Sequence, residues 1–347
     1  MQHLISQYGM HVPLLFFILG VLWDSITLWR PDGLFENLTF AAYLLVTTLI
    51  IFILPLFERR HDERAGIMIA VLQFCFGNLA GGLMILYMRS GTLVGSALFL
   101  FSLLALIIAN EALKTRYRAH ALRIGVWYAL LTLYISMALP ILYERMGTDV
   151  FVNGLLTAFI IAFLFVCMQR ALRFIARPQD WFVSVGVIAL VTIFFFVAHI
   201  THIMPPVPLA LRSAGIAHSA VHIDDIYRLQ IEDSKYPLFM ETSSHFHTAL
   251  PSRSYCFSEV YAPSKLVTAL QHHWEFYDVE KKEWSTIVTV PYSIFGGRDK
   301  GFRGYSYISL RKYGEYRCTI ETDKGVIVGR RTFTVEVGNP ILTEVDL

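Results

Sequence analysis

Histidine is the chemically versatile residue type that clusters in this sequence. His199 and His202 lie three apart, and His218 and His222 lie four apart with Asp224 and Asp225 following. His245 and His247 flank Phe246, and His272 and His273 are adjacent. A spacing of three or four sets two imidazoles on one helical face, where they can ligate Zn²⁺ or Cu²⁺; the 199/202 pair would also suit haem. On a strand, neighbours point to opposite faces, so His272 and His273 cannot share an ion. The chain has no HExxH, CxxC or CxxCH, the spacings that accompany zinc hydrolysis, dithiol chemistry and attached haem. The histidines therefore read as surface or hydrogen-bonded groups with no resident cofactor. Metal or haem at His199 and His202 is the alternative.

Other reactive types are present without the frames that would make them work. Ser, His and Asp all occur in the C-terminal part, but no GxSxG elbow presents a nucleophile. The run Gly296-Gly297-Arg298-Asp299-Lys300-Gly301 joins two strand-like segments, whereas a phosphate loop opens onto a helix N-terminus; it reads as a hairpin loop. Asp24, Gln73, Asn78, Asn110 and Glu111 fall inside apolar runs, where ionisable groups are costly and invite a functional reading. Asp24 and Glu111 lie near the ends of their runs, within reach of headgroups. Gly77 and Gly81, and again Gly91 and Gly95, have the GxxxG spacing that lets helices approach closely.

These residues must be positioned by two regions with different solvents. Mean hydropathy is +0.52 and 55% of the 347 residues are hydrophobic, too apolar for a soluble chain of this length, and the excess lies before about Pro205. Apolar windows near the length of a bilayer span fall at about 10–28, 38–57, 65–88, 92–110, 122–142, 151–169 and 181–203. Lipid offers the backbone no partners, so each run is expected to be a helix, seven in all. The second, fourth and sixth connectors hold ten Lys and Arg: Arg59, Arg60, Arg64, Lys114, Arg116, Arg118, Arg123, Arg170, Arg173 and Arg177. The other three hold Arg30, Arg89 and Arg145. That asymmetry puts the N-terminus in the cytoplasm of a bacterial inner membrane, and an odd helix count puts the chain after Met204 in the periplasm. The first run, lacking a basic n-region and a cleavage site, reads as an uncleaved anchor. Sixteen of the twenty-nine Lys and Arg follow residue 205, scattered among acids, which argues against a nucleic-acid partner.

After Pro205, Pro206 and Pro208 comes a stretch to about residue 252 that reads as linker and mixed sequence. From there the pattern turns strand-like, rich in aromatic and β-branched residues at period two. Strands are expected at Tyr255–Ala262, Leu266–Asp278, Glu283–Tyr292, Phe302–Arg311, Glu315–Thr322 and Gly325–Val337, an Ig-like β-sandwich over 253–347. Cys256, Trp274 and Cys318 stand in the order Cys…Trp…Cys, with Tyr316 two residues before the second cysteine. In Ig-type sandwiches such a tryptophan packs on an inter-sheet disulfide and such a tyrosine caps a corner. Cys256 and Cys318 are either that disulfide or two buried thiols. Cys75 and Cys167 sit in apolar runs and read as small core residues.

The stretches Tyr255-Cys256-Phe257, Gln271-His272-His273-Trp274-Glu275-Phe276-Tyr277, Phe302-Arg303-Gly304-Tyr305-Ser306 and Gly314-Glu315-Tyr316-Arg317 resemble the domain of unknown function 2914 family. That family's pattern has a His near a Trp, an Arg-x-Tyr-Ser segment, a Gly-x-Trp-Arg segment and a closing Phe-x-Val; here Tyr316 replaces the Trp and the close is Phe333-Thr334-Val335. The resemblance implies a small β domain attached to bacterial envelope proteins and carries no activity. The resulting expectation is a non-enzymatic membrane protein whose outer domain binds an envelope protein or a glycan. Trp274, His272, Arg303 and Tyr305 are its ligand-facing residues, and Phe276, Tyr277, Trp284 and Tyr307 contribute in part. The alternative is a transporter or membrane-embedded enzyme working through Asp24, Asn78 and Glu111.

Overall fold

The computed structural model describes residues 33–90, 96–112, 120–175, 177–223, 226–232, 244–263, 266–295 and 301–346. It divides into two compact units, a helical one whose last segment ends at Met204 and a β one formed mainly by the chain from Pro205 on, with Glu144–Met146 grouped with it. The expected first span and Asp24 lie outside the described residues.

The helical unit contains α1 (Leu34–Arg59), α2 (Arg64–Arg89), α3 (Ala97–Ala112), α4 (His120–Leu142), α5 (Thr148–Ala171) and α6 (Pro178–Ile200). All but α3 are long and apolar enough to cross a membrane. Charges at several ends suit the helix dipole: Glu36 and Arg59 in the first and last turns of α1, Asp149 and Arg170 in those of α5, and Asp180 in the first turn of α6, which opens on a proline.

Helix α4 is the hub, with 61% of its best apolar window buried against 22% for α6. Its polar groups, two side chains and one backbone carbonyl, reach three neighbours. Trp127 Nε1 donates to Thr48 Oγ1 of α1 at 2.9 Å, Tyr128 OH pairs with Thr192 Oγ1 of α6 at 2.7 Å, and the Leu133 carbonyl accepts from Tyr87 OH of α2 at 2.9 Å. Pro55 inside α1 has no N–H for the Ile51 carbonyl four residues back. The fully buried Gln169 of α5 supplies the missing donor, Nε2 to that oxygen at 3.0 Å.

At Gly81, a buried position of the GxxxG, an added Cβ would meet nothing within 4 Å among the described residues. Tight approach occurs at Gly125 of α4, where an added Cβ would stand 2.8 Å from Val187 Cγ1 of α6, whereas at Gly154 of α5 it would make ordinary contact with Ile135 Cγ2 of α4 at 3.5 Å.

In the β unit, β1 (Ala210–Ala217), β5 (Ser252–Tyr261) and β8 (Phe302–Leu310) form one sheet in the order β1-β5-β8. A five-stranded sheet runs β4 (His245–His247), β10 (Ile327–Glu336), β9 (Gly314–Thr322), β6 (Val267–Asp278), β7 (Glu283–Phe295). A third sheet runs β11 (Leu342–Asp346), β3 (Ile226–Glu232), β2 (Ser219–Ile223). Among the described residues, β4 on β10 pairs parallel and the other strand pairs are antiparallel.

The stretch read as linker therefore holds four strands. The first two sheets share one apolar core, with Ile216, Val260, Ile308 and Leu310 from one and Leu270, Ile294, Ile320, Phe333 and Val335 from the other. The Cys256–Cys318 disulfide crosses that core from β5 to β9. Trp274 is paired in register with Cys318, and Tyr316 OH donates to the Lys312 carbonyl at 3.0 Å, closing the corner into β9. Gly314 opens that strand at φ +133°, with the Phe276 ring 3.3 Å from where a Cβ would stand, so a side chain there is strained on two counts.

Candidate binding face and the polar hub behind it

Alternation along β6 turns Leu270, His272 and Trp274 inward and leaves Gln271 and His273 partly exposed. His272 and Trp274 are fully buried, which corrects their assignment to a ligand-facing surface. They build a polar hub between the sheets. Trp274 Nε1 donates to Ser306 Oγ of β8 at 2.8 Å. His272 Nδ1 meets the same hydroxyl at 2.9 Å, and its Nε2 meets Ser258 Oγ of β5 at 2.9 Å. Ser258 in turn lies 2.9 Å from Tyr292 OH of β7.

Counting donors selects one tautomer. Ser306 accepts from the tryptophan and gives its own proton to Nδ1, so Nε2 carries hydrogen and donates to Ser258. The reverse assignment would leave a buried serine proton with nowhere to go. Burial pushes the His272 pKa down to about 3, keeping the ring neutral, and pushes the Tyr292 phenol up. The sulfurs of Cys256 and Cys318 lie with a His272 nitrogen within 4.8 Å, the geometry of a metal-ligand trio. Both sulfurs are consumed by the disulfide, so the trio is a crosslink roofed by an imidazole.

The outward sides of β5 and β8 carry the exposed chemistry. Tyr307 is 50% and Tyr305 38% exposed. Tyr255 contacts both, at ring-centroid distances of 5.4 Å and 6.2 Å. The stripe continues through Tyr227 of β3, edge-on to Tyr305 at 6.2 Å, to His222 of β2 stacked on Tyr227 at 4.3 Å. Arg253 lies over the Tyr307 ring at 5.1 Å. The β2–β3 hairpin adjoining this stripe exposes Val221, Ile223 and Ile226.

Arg303 holds the edge of the stripe. Its guanidinium is 3.5 Å from the buried Glu259 carboxylate, which Arg212 approaches at 3.6 Å from the other side, and its carbonyl accepts from Tyr227 OH. Of the four expected ligand-facing residues, Tyr305 lies on an exposed face and Arg303 borders it. On the five-stranded sheet, Tyr277 packs on Trp284, Arg317 covers Trp284 at 4.2 Å, and Arg317 is paired bidentately with Glu275. Burial and the Arg317 ion pair oppose each other at Glu275, and the pair wins, holding its pKa below the usual carboxylate range. Those aromatics are half-buried beneath a satisfied charge network.

A second polar cluster went unrecognised in the sequence. Glu232 at the end of β3 is held between His218 Nε2 and His247 Nδ1, each at 2.8 Å, and also accepts the His247 backbone N–H at 2.6 Å. Glu336 of β10 lies 3.2 Å from His245 and 3.8 Å from His247. His218 stacks on Phe246 at 3.9 Å, and burial lowers its pKa. The His-x-His alternation of β4 was the available signal, because it places both imidazoles on one face with Phe246 buried on the other.

In the helical unit, Asn78 Nδ2 donates to the Phe74 carbonyl of its own helix at 2.8 Å, and Glu111 falls in the last turn of α3. His199 stacks flat on Phe151 at 3.9 Å. Helix α6 stops at Ile200, and His202 adopts φ +57° in a terminal turn closed by Ile203 N–H on the Ala198 carbonyl. The pair therefore loses the helical spacing that would have aimed both rings at one ion, and no ligand group gathers around them among the described residues.

No curated protein matches this chain. Among solved structures, an immunoglobulin-like protein from Pseudomonas aeruginosa aligns over 35% of this chain and 97% of its own at 7% identity, with a TM-score of 0.19. A β-glucosidase from Kluyveromyces marxianus aligns over 29% of this chain and 14% of its own at 13% identity, with a TM-score of 0.20. This chain thus spans about a seventh of that enzyme. The alkylpurine DNA glycosylase AlkC of Pseudomonas fluorescens aligns over 89% and 99% at 8% identity, with a TM-score of 0.21. At such scores none of these likenesses bears on fold or activity. The family relation is carried by sequence: residues 267–335, from β6 to β10, match the family described as Protein of unknown function (DUF2914).

Proposed function

We propose that this chain is a multi-span protein of the bacterial inner membrane. Its β unit, an Ig-like sandwich, stands on the periplasmic side and binds a protein of the cell envelope. The observation that carries the binding reading is the tyrosine stripe of β5 and β8 continued by the exposed aliphatic hairpin of β2 and β3. Tyrosine offers broad, rigid contact area with a polar tip at low entropic cost, and tyrosine and arginine are enriched at interface centres. The stripe mixes aromatic with aliphatic groups, which favours a protein surface over a sugar ring. Outward location is supported by the ten-to-three loop-charge asymmetry and by a disulfide, which persists in oxidising compartments. The Ig-like reading rests on that disulfide, on Trp274 beside it and on the Tyr316 corner.

A photo-crosslinking amino acid at Tyr307 of the full chain, in cells, tests the proposal. A discrete protein adduct is expected, absent when Tyr305 and Tyr255 are changed to alanine and absent with the crosslinker at Glu280. Adducts of equal yield at Tyr307 and Glu280 would refute a binding face, and a glycan adduct would redirect the partner class. A cytoplasm-only reporter active when fused at Leu347 would overturn the orientation.

A further inference from the structure

The helical unit contains a cavity of about 540 Å³ that the binding face does not use. It lies where the C-terminal end of α1, the N-terminal end of α4 and the start of α6 meet, and Glu58, Arg59, His120, Arg123, Arg177 and Asp180 line it. This volume suits a small ligand or a lipid headgroup.

Its charge is unbalanced. Arg123, 2% exposed, is taken by Glu58 through two 3.0 Å hydrogen bonds. Arg59 donates one nitrogen to the Arg173 and Phe174 carbonyls, which leaves its positive charge uncancelled. The Arg177 side chain has no hydrogen-bonding or ionic partner among the described residues. With Glu58 committed to Arg123, Asp180 is the remaining carboxylate among the described lining residues, against the Arg59 and Arg177 guanidiniums. His120 Nε2 is buried in the same wall without a hydrogen-bond partner among the described residues. The N-termini of α4 and α6 and the C-terminus of α1 all end here, so the two positive helix-dipole ends outweigh the one negative end. A buried ion pair anchoring one wall, a surplus of one guanidinium over the lining carboxylates and an imidazole nitrogen without a hydrogen bond among the described residues suit a compact anion with several acceptor oxygens.

We propose that this cavity binds a phosphate group, presented either by an anionic phospholipid headgroup or by a soluble phosphate compound. Arg177 and Arg59 contact the phosphate, and His120 lies behind them. The proposal concerns the helical unit alone and stands independently of the β unit's partner.

The test uses the full chain in mild detergent. Binding of phosphatidylglycerol against phosphatidylcholine is read by native mass spectrometry, and binding of pyrophosphate by thermal shift without added lipid. Saturable binding is expected for one of these anions. Arg177→Gln should weaken it tenfold or more, the usual scale of one charge-assisted hydrogen bond. Asp180→Asn should strengthen it by removing the opposing charge, and Arg60→Gln, an exposed arginine outside the cavity, should leave it unchanged. Saturation by phosphatidylglycerol identifies a headgroup site, and saturation by pyrophosphate identifies a soluble ligand. No saturable binding, or equal losses from Arg177→Gln and Arg60→Gln in folded variants, would overturn the proposal, because the second result is the signature of diffuse surface charge.

Discussion

His272→Gln tests the polar hub most sharply. The imidazole has a pKa of about 3 in the folded chain against 6.5 for the free side chain, and burial is the cause. A histidine whose folded pKa is depressed binds fewer protons folded than unfolded between those values. Folding stability is therefore complete above about pH 6.5 and is lost as pH falls toward 3. Within that window each pH unit is worth about 1.4 kcal/mol, so His272 alone removes roughly 2–3 kcal/mol between pH 6.5 and 4.5. Glutamine keeps hydrogen-bonding capacity but cannot titrate. At pH 7 the substitution should cost roughly 1–3 kcal/mol, because Ser258 and Ser306 cannot both be satisfied. Between pH 6.5 and 4.5 the variant should lose correspondingly less than the parent. Hydrogen exchange of the β5, β6 and β8 amides in the detergent-solubilised chain, corrected for intrinsic rates, gives the stability at each pH. His218 titrates in the same direction in both proteins, so the difference between them isolates His272. Equal losses in the two would refute a neutral buried imidazole.

Three further outcomes follow from named contacts. The Cys256→Ala/Cys318→Ala pair opens a crosslink between residues 62 apart, and chain entropy sets the cost at about 4 kcal/mol; exchange protection of the β unit should fall accordingly. Tyr316→Phe removes the bond to the Lys312 carbonyl and should cost about 1 kcal/mol by the same measurement, with the disulfide still formed. Gln169→Leu strands the Ile51 carbonyl and should cost about 1–3 kcal/mol in detergent thermal stability. Adding Pro55→Ala, which returns an N–H to that carbonyl, should recover part of the loss; additive effects would show that the bond has no such role.

The strands from β5 to β10 were legible because alternation and turn residues coincide there. β4 is three residues long and pairs with a strand about ninety positions away, while the tip of β2 exposes every residue from Val221 to Ile223, so neither has a periodic apolar face to read. Period two shows which residues share a face but not which face is the core. A polar pair such as His272 and Trp274 therefore read as surface until the Ser258 and Ser306 partners, on other strands, supplied the reason to bury them. Bilayer-length runs announced the helices. The close approach at Gly125 was illegible because that glycine stands alone, outside any GxxxG spacing.

The arginines of the charged connectors are not interchangeable units of charge. Arg59 grips the carbonyls of Arg173 and Phe174, and Arg170 grips that of Ile175, so the segment between α5 and α6 is fastened by the residues that would orient the chain in the bilayer. Deleting them to invert the protein would loosen it at the same time, and a misoriented product could not be told from a damaged one. Arg59→Lys separates the two roles, since lysine keeps the sign but replaces the planar guanidinium, one nitrogen of which reaches both carbonyls, with a more strongly hydrated ammonium. Orientation should survive that exchange while the fastening weakens. A clean inversion experiment would instead add lysines to the sparsely charged connectors and leave these arginines in place.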